Sequence, residues 1–179
     1  MERAWMRVFT EAGFTIAPKP LLRDCNVPLC DQHDDRQLDF RTSSLDARGL
    51  LTCADVTVVS VIDGAGNPHG RAASVDGVAI ARAEDRKADK YPELASVNPY
   101  GTLTVLAMEV AGRWSDTCTH TLRSLVRARV QRDPPLLRRS AALAWTRRWS
   151  GMLAVALQRS VSTSLSDGVP VLADNSQPA

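Results

Sequence analysis

The apolar positions of the chain change rhythm several times. From Glu2 to Gly13, Trp5, Val8 and Phe9 recur at helical spacing, which predicts an amphipathic helix ending near Gly13. "FTIAPKPLL" is extended, and its two prolines suit an edge strand or a lead-in. A polar loop through Asp31 to Asp35 precedes "RQLDFRT", a short alternating strand, and "SSLDARG" has turn chemistry. "LLTCADVTVVSVI", Leu50 to Ile62, then reads as a strand buried on both faces.

The glycine-rich loop "DGAGNPHG" separates that strand from a helix over Val75 to Tyr91, ended by Pro92. Thr102 to Gly112 is a second apolar strand. Ser115 can cap a helix from Asp116 to about Gln131. After "DPP" a long helix is expected from roughly Leu136 to Leu165, with Trp145, Trp149, Met152 and Ala156 on its core side. The order is helix, strand, strand, strand, helix, strand, helix, helix. It predicts one compact α/β unit over residues 1–165, with a mixed sheet of about four strands and a disordered tail over 166–179.

The long strand carries an anomaly, Asp55 at its centre. An ionised carboxylate taken out of water costs several kcal/mol unless it is paired. If "RQLDFRT" and the long strand form a hairpin centred on Ala47, within the Asp46–Gly49 turn, facing residues have numbers summing to 94. Asp39 then stands opposite Asp55, with Cβ atoms about 5 Å apart. Two like charges in register destabilise a sheet, and a hard divalent cation between them reverses the effect. A slip of one residue would put the acids on opposite faces. Glu109, in the second apolar strand, can support the same centre if the two strands are neighbours.

The intervening helix adds cations. At 100° per residue, Ala79, Ile80, Ala83, Lys87 and Lys90 share one side, away from Glu84, Asp85 and Asp89. Lysines beside a metal site can orient water or stabilise charge growing on a phosphate. They can equally snorkel from a partly buried face or pair with acids for stability alone.

Composition narrows the field. Hydrophobic residues make up 44% and charged residues 23%, as in ordinary globular proteins. No apolar run approaches the roughly 20 residues of a membrane span, and the start is too charged for a signal peptide. A nuclear or cytoplasmic location follows as the expectation, with no membrane partner. Cys25, Cys30, Cys53 and Cys118 are widely spaced, which favours reduced thiols. Cys25, Cys30 and His33 match no common zinc finger. His69 lies in the glycine-rich loop and His120 on a helix, and neither has a fixed partner in the sequence.

The net charge of +2 hides an asymmetry. Arg123 to Arg159 contains nine arginines and one acid, Asp133, whereas Asp24 to Asp46 contains six aspartates. The basic half, with Arg127, Arg138, Arg139, Arg147 and Arg148, suits an anionic partner, with nucleic acid first among them, or a solvated helix face.

The succession "LDF", a turn, "ADVTVVS", "RKADKY" and "AMEVAGRW" resembles the restriction-endonuclease-like domain of non-LTR retrotransposon polyproteins, in the PD-(D/E)XK nuclease superfamily. "ERAW…EAG", "RSAALAWTRRW" and "VALQRSV" are similar to the C-terminal segment of retrotransposon-derived reverse-transcriptase-like proteins, and the likeness runs from Met1 to about Leu165. The resemblance implies a restriction-endonuclease-like core. It also implies an Mg²⁺- or Mn²⁺-dependent endodeoxyribonuclease that nicks target DNA to prime reverse transcription.

Carried over by position, Asp39 and Asp55 correspond to the metal-binding acids. Lys87 and Lys90, beside Tyr91, occupy the displaced lysine position, and Glu109 matches an acid of the following strand. The partners implied are DNA, element RNA or an RNA/DNA hybrid, and a reverse transcriptase domain absent from this chain. Leu38 stands where the family has proline, and Thr57 where the (D/E)XK lysine would fall. The alternative is a catalytically inactive remnant that binds nucleic acid or serves as a structural module.

Overall fold

In the computed structural model, residues 1–25, 30, 31, 33–43, 51–63, 65–95 and 101–166 are described. The expected turn at Asp46–Gly49 and the tail beyond Ser166 lie outside these residues; Ser166 itself closes the last helix.

The chain opens with α1 (Glu2–Ala12), which buries Trp5, Val8, Phe9 and Ala12. Gly13 adopts φ +96°, and the N–H groups of Gly13 and Phe14 return to the carbonyls of Thr10 and Phe9, a left-handed cap that glycine takes most easily. Three strands follow: β1 (Ile16–Pro18), β2 (Phe40–Thr42) and β3 (Leu51–Val59). Next come α2 (Val78–Lys90), the short α3 (Pro92–Ala95) and β4 (Gly101–Glu109). The chain then forms α4 (Asp116–Val130) and the long α5 (Arg138–Ser166). Ser115 caps α4 by accepting the Cys118 N–H at 3.1 Å.

The sheet is mixed, in the order β1-β2-β3-β4, with the first three strands antiparallel and β4 parallel to β3. β1 is an edge strand, where the absence of a proline N–H costs no ladder bond. β2 is shorter than the alternating pattern of its segment suggested, but its register is the one expected. Phe40 faces Ala54, Arg41 faces Cys53, and Thr42 faces Thr52.

Alternation along the strands divides the core in two. Ala54, Leu106 and Met108 join Phe40 and the apolar faces of α1, α4 and α5. On the other face Val59, Val105 and Ala107 pack against Ala79, Ile80 and Ala83 of α2. The small alanines let α2 lie close to the sheet.

On α5 the fully buried residues are Trp149, Leu153 and Leu157; Trp145 and Met152 are half-buried. The core stripe is thus rotated from the expected one. Trp145 lies under the Arg129 guanidinium, 4.6 Å from the ring centroid. Glu11 fastens α5 to α1, accepting from Trp149 Nε1 at 2.9 Å and from Arg148 Nε and Nη2 at 3.1 and 3.0 Å. These bonds, Arg148 foremost, hold the Glu11 carboxyl down at about 2. No helix among the described residues is long and apolar enough to cross a membrane.

Candidate functional site

Asp55 is 4% exposed, and Lys87 Nζ stands 2.9 Å from its Oδ1. The pairing follows from how α2 lies. Its first turns are fixed by Ala79, Ile80 and Ala83, so the last turn carries Lys87 over the middle of β3. Tyr91 ends the helix, fully buried, and donates its hydroxyl to the Gln37 carbonyl at 2.6 Å. Burial pushes the Tyr91 hydroxyl well above its usual range, and the neighbouring Asp55 carboxylate, through its charge and a hydrogen bond, pushes it further; Asp39 adds a smaller effect.

Asp39 sits one residue ahead of β2, where the ladder breaks. Its N–H turns to the Ala54 carbonyl at 3.1 Å, while its Oδ2 accepts the Val56 N–H at 2.8 Å. The carboxylate therefore lies against the residue next to Asp55. Its other oxygen, Oδ1, accepts from Lys19 Nζ at 2.8 Å, and Lys19 also reaches Glu2 Oε2 at 2.6 Å. Partial burial alone would lower the Lys19 ammonium, but its bonds to Asp39 and Glu2 outweigh this and raise it.

Three of the expected residues thus connect: Lys87 pairs with Asp55, and Asp39 bonds the N–H of the next residue, Val56. Two do not. Lys90 is exposed, with its ammonium 5.1 Å from the Tyr91 ring centroid. Three positions from Lys87 on a helix is a rotation of about 60°, enough to carry a side chain from the sheet face to the rim. Glu109 pairs with Val59 in the parallel ladder, while Asp55 pairs with Val105. Four residues along a strand is about 13 Å, so Glu109 shares a face with Asp55 but stands at the far end of it. There it meets Arg113 Nε at 3.4 Å, inside the turn that follows β4. Glu84, expected to point away from the sheet, is half-buried, and its Oε1 is a buried atom without a hydrogen-bond partner.

Lys19 was missed by sequence reasoning. It lies between two prolines just after β1, 20 positions from Asp39, and no periodicity links the two. One signal was available: only three of the chain's 22 basic residues are lysines, and Lys19 is the one outside α2.

The five expected arginines divide in the same way. Arg127, Arg139 and Arg147 are exposed on α4 and α5. Arg138 instead donates to the Asp133 and Gln131 carbonyls at the end of α4, and Arg148 is held by Glu11. Cys25 and Cys53 are free and buried side by side, and a hydrogen bond from Cys53, with Arg41 nearby, pulls the Cys25 thiol below its usual range.

The donor chemistry suits a hard cation. Asp55 lies in β3 and Asp39 just ahead of β2, and each carboxylate already carries an ammonium group at hydrogen-bond distance. Among the described residues no three His, Cys, Asp or Glu side chains gather as a complete ligand set. Mg²⁺ commonly uses one or two carboxylates and keeps several waters, so two aspartates are sufficient. No protein-family model matches the chain, and no curated protein matches it.

Proposed function

We propose that the chain is a metal-dependent DNA endonuclease domain of retrotransposon origin, built on a restriction-endonuclease-like core. The observation that carries this reading is the buried Asp55–Lys87 pair under α2, with the Asp39 carboxylate bonded to the N–H of the next residue, Val56. Asp39 and Asp55 would hold Mg²⁺ or Mn²⁺. The ion supplies Lewis-acid assistance and water activation at a phosphodiester. Lys87, fixed by the packing of α2, places its ammonium beside Asp55, where it can orient water or neutralise charge on the scissile phosphate. Tyr91 keeps its proton under these conditions and braces the wall of the site through Gln37. Arg127, Arg139 and Arg147 offer exposed charge for phosphate contacts without sequence information.

The test is nicking of supercoiled plasmid with Mg²⁺ or Mn²⁺, comparing the intact protein with Asp55→Ala. Metal-dependent nicking lost in the variant supports the reading; equal nicking by both proteins ends it.

One observation favours the inactive alternative. Asp39 is already satisfied on both oxygens, by Lys19 and by the Val56 N–H, as a purely structural carboxylate would be. Salt-sensitive DNA binding without metal-dependent cleavage would select that alternative.

A further inference from the structure

The chain is rich in arginine and nearly devoid of lysine, with three lysines among 22 basic residues. Two of the three are paired with the candidate acids, and the third lies at the rim. Lys19 is on Asp39, Lys87 is on Asp55, and Lys90 is over the ring of Tyr91, whose hydroxyl feels the Asp55 charge. Apart from a second contact of Lys19, to Glu2, the other salt bridges seen among the described residues are made by arginines. Lysine and arginine are not interchangeable. Lysine is a compact charge on a flexible stem that lets go of a carboxylate easily, whereas arginine forks onto both oxygens.

Lys19 has a second peculiarity. Its φ is +49°, the left-handed region, and it is the one non-glycine residue with positive φ among the described residues. Such a conformation in a non-glycine residue costs about 1 kcal/mol or more. An ion pair made by a half-exposed lysine recovers little of that. The backbone is nonetheless held: the Lys19 N–H donates to the Asp39 carbonyl at 2.9 Å, and the Lys19 carbonyl accepts from Gln37 Nε2 at 3.1 Å. Proline stands on either side. The strained turn therefore delivers a half-exposed, exchangeable ammonium to one oxygen of Asp39, with Glu2 beside it as a second resting place at 2.6 Å.

We propose that Lys19 is a built-in counter-cation of Asp39 that yields its place to a divalent metal ion and retreats to Glu2. The proposal rests on the reading of Asp39 as a cation ligand. Lys19 is thus a positioning residue: it keeps Asp39 oriented while no metal is bound, and it sets the concentration at which metal enters.

With three lysines, protein labelled with ¹³C and ¹⁵N in lysine alone gives a spectrum that three substitutions assign completely. Mg²⁺ titration should move the Lys19 ε-methylene signal along one saturable curve, with Asp39→Asn abolishing the movement. Removing the competitor in Lys19→Met should tighten Mg²⁺ binding, read by calorimetry, roughly two- to five-fold, as expected for losing a partly exposed ion pair. Lys19→Arg keeps the charge but grips both oxygens, so it should weaken binding by a similar factor. A purely structural lysine would change the melting temperature in both variants without this opposite pair of shifts. If Mg²⁺ moves the Lys87 signal but leaves Lys19 still, with equal affinity in all variants, the displacement idea is wrong and the nuclease reading survives. If no lysine signal moves and calorimetry detects no binding, both fall together.

Discussion

Lys87 Nζ and Asp55 Oδ1, 2.9 Å apart, tie the last turn of α2 to the middle of β3. The carboxylate is nearly sealed from water and the ammonium is about a quarter exposed, so the two ends of the pair differ in what they lose when separated. Lys87→Met strands a buried charge and should cost about 2–3 kcal/mol in urea unfolding. Asp55→Asn leaves a lysine that can turn to solvent, and should cost less. The double variant should be more stable than Lys87→Met alone. Simple additivity of the two changes would show that the pair is not coupled.

The two α2 lysines separate functionally. Lys87 contacts Asp55, whereas Lys90 lies outside over Tyr91. If the chain nicks DNA, Lys87→Ala should reduce the rate at least a hundredfold, in the range of lost general acid–base or electrostatic assistance. Lys90→Ala should stay within a few-fold of the parent. Comparable losses from both would mean that the rim lysine also reaches the reacting phosphate.

Acid should loosen the α1–α5 seam. Glu11 titrates at about 2 in the folded protein against 4.5 ordinarily, so its contribution is complete above about pH 4.5 and fades as pH falls toward 2. Glu11→Gln should lower stability by about 1–2 kcal/mol at pH 7. It should also lose less stability than the parent between pH 5 and 2.5, measured by urea midpoints. An unchanged pH dependence would assign acid sensitivity to other carboxylates, Asp34 first among them, since the Arg36 guanidinium holds it below its usual range.

The arginines should sort by structure. Replacing Arg127, Arg139 and Arg147 together by Gln should leave the melting temperature within a few degrees and weaken DNA binding. The slope of log affinity against log salt should become less steep by about one per phosphate contact removed. Arg148→Gln should instead destabilise the fold, because it removes two of the bonds to Glu11. A triple variant with unaltered DNA affinity would move the binding surface elsewhere.

Much of the architecture was legible before any coordinates, because period and punctuation are local. The two long strands, the caps at Gly13 and Ser115 and the stop at Pro92 are written into short stretches whose backbone preferences hardly depend on the rest of the molecule. The hairpin register supposed from a turn centred on Ala47 matches the ladder, in which Phe40 faces Ala54, although the period alone left a one-residue slip open. That ladder ends at Phe40 and Ala54, so Asp39 falls just outside it, bonded to the backbone on either side of Asp55.

What only the tertiary structure decided is the distance along and around those elements. The parallel register of β4 sent Glu109 about 13 Å from the level of Asp55, and no hydrophobic pattern in a strand buried on both faces encodes such a shift. The tilt and depth of α2 chose Lys87 over Lys90, set by how closely Ala79 and Ala83 approach the sheet. Lys19 came to Asp39 through a strained backbone and the placement of α1, neither of which leaves a periodic trace. Local sequence determined which segments are helix and strand and which residues share a face. Long-range packing determined which charges meet, because a charge finds its partner only after the apolar faces have set the spacing between elements.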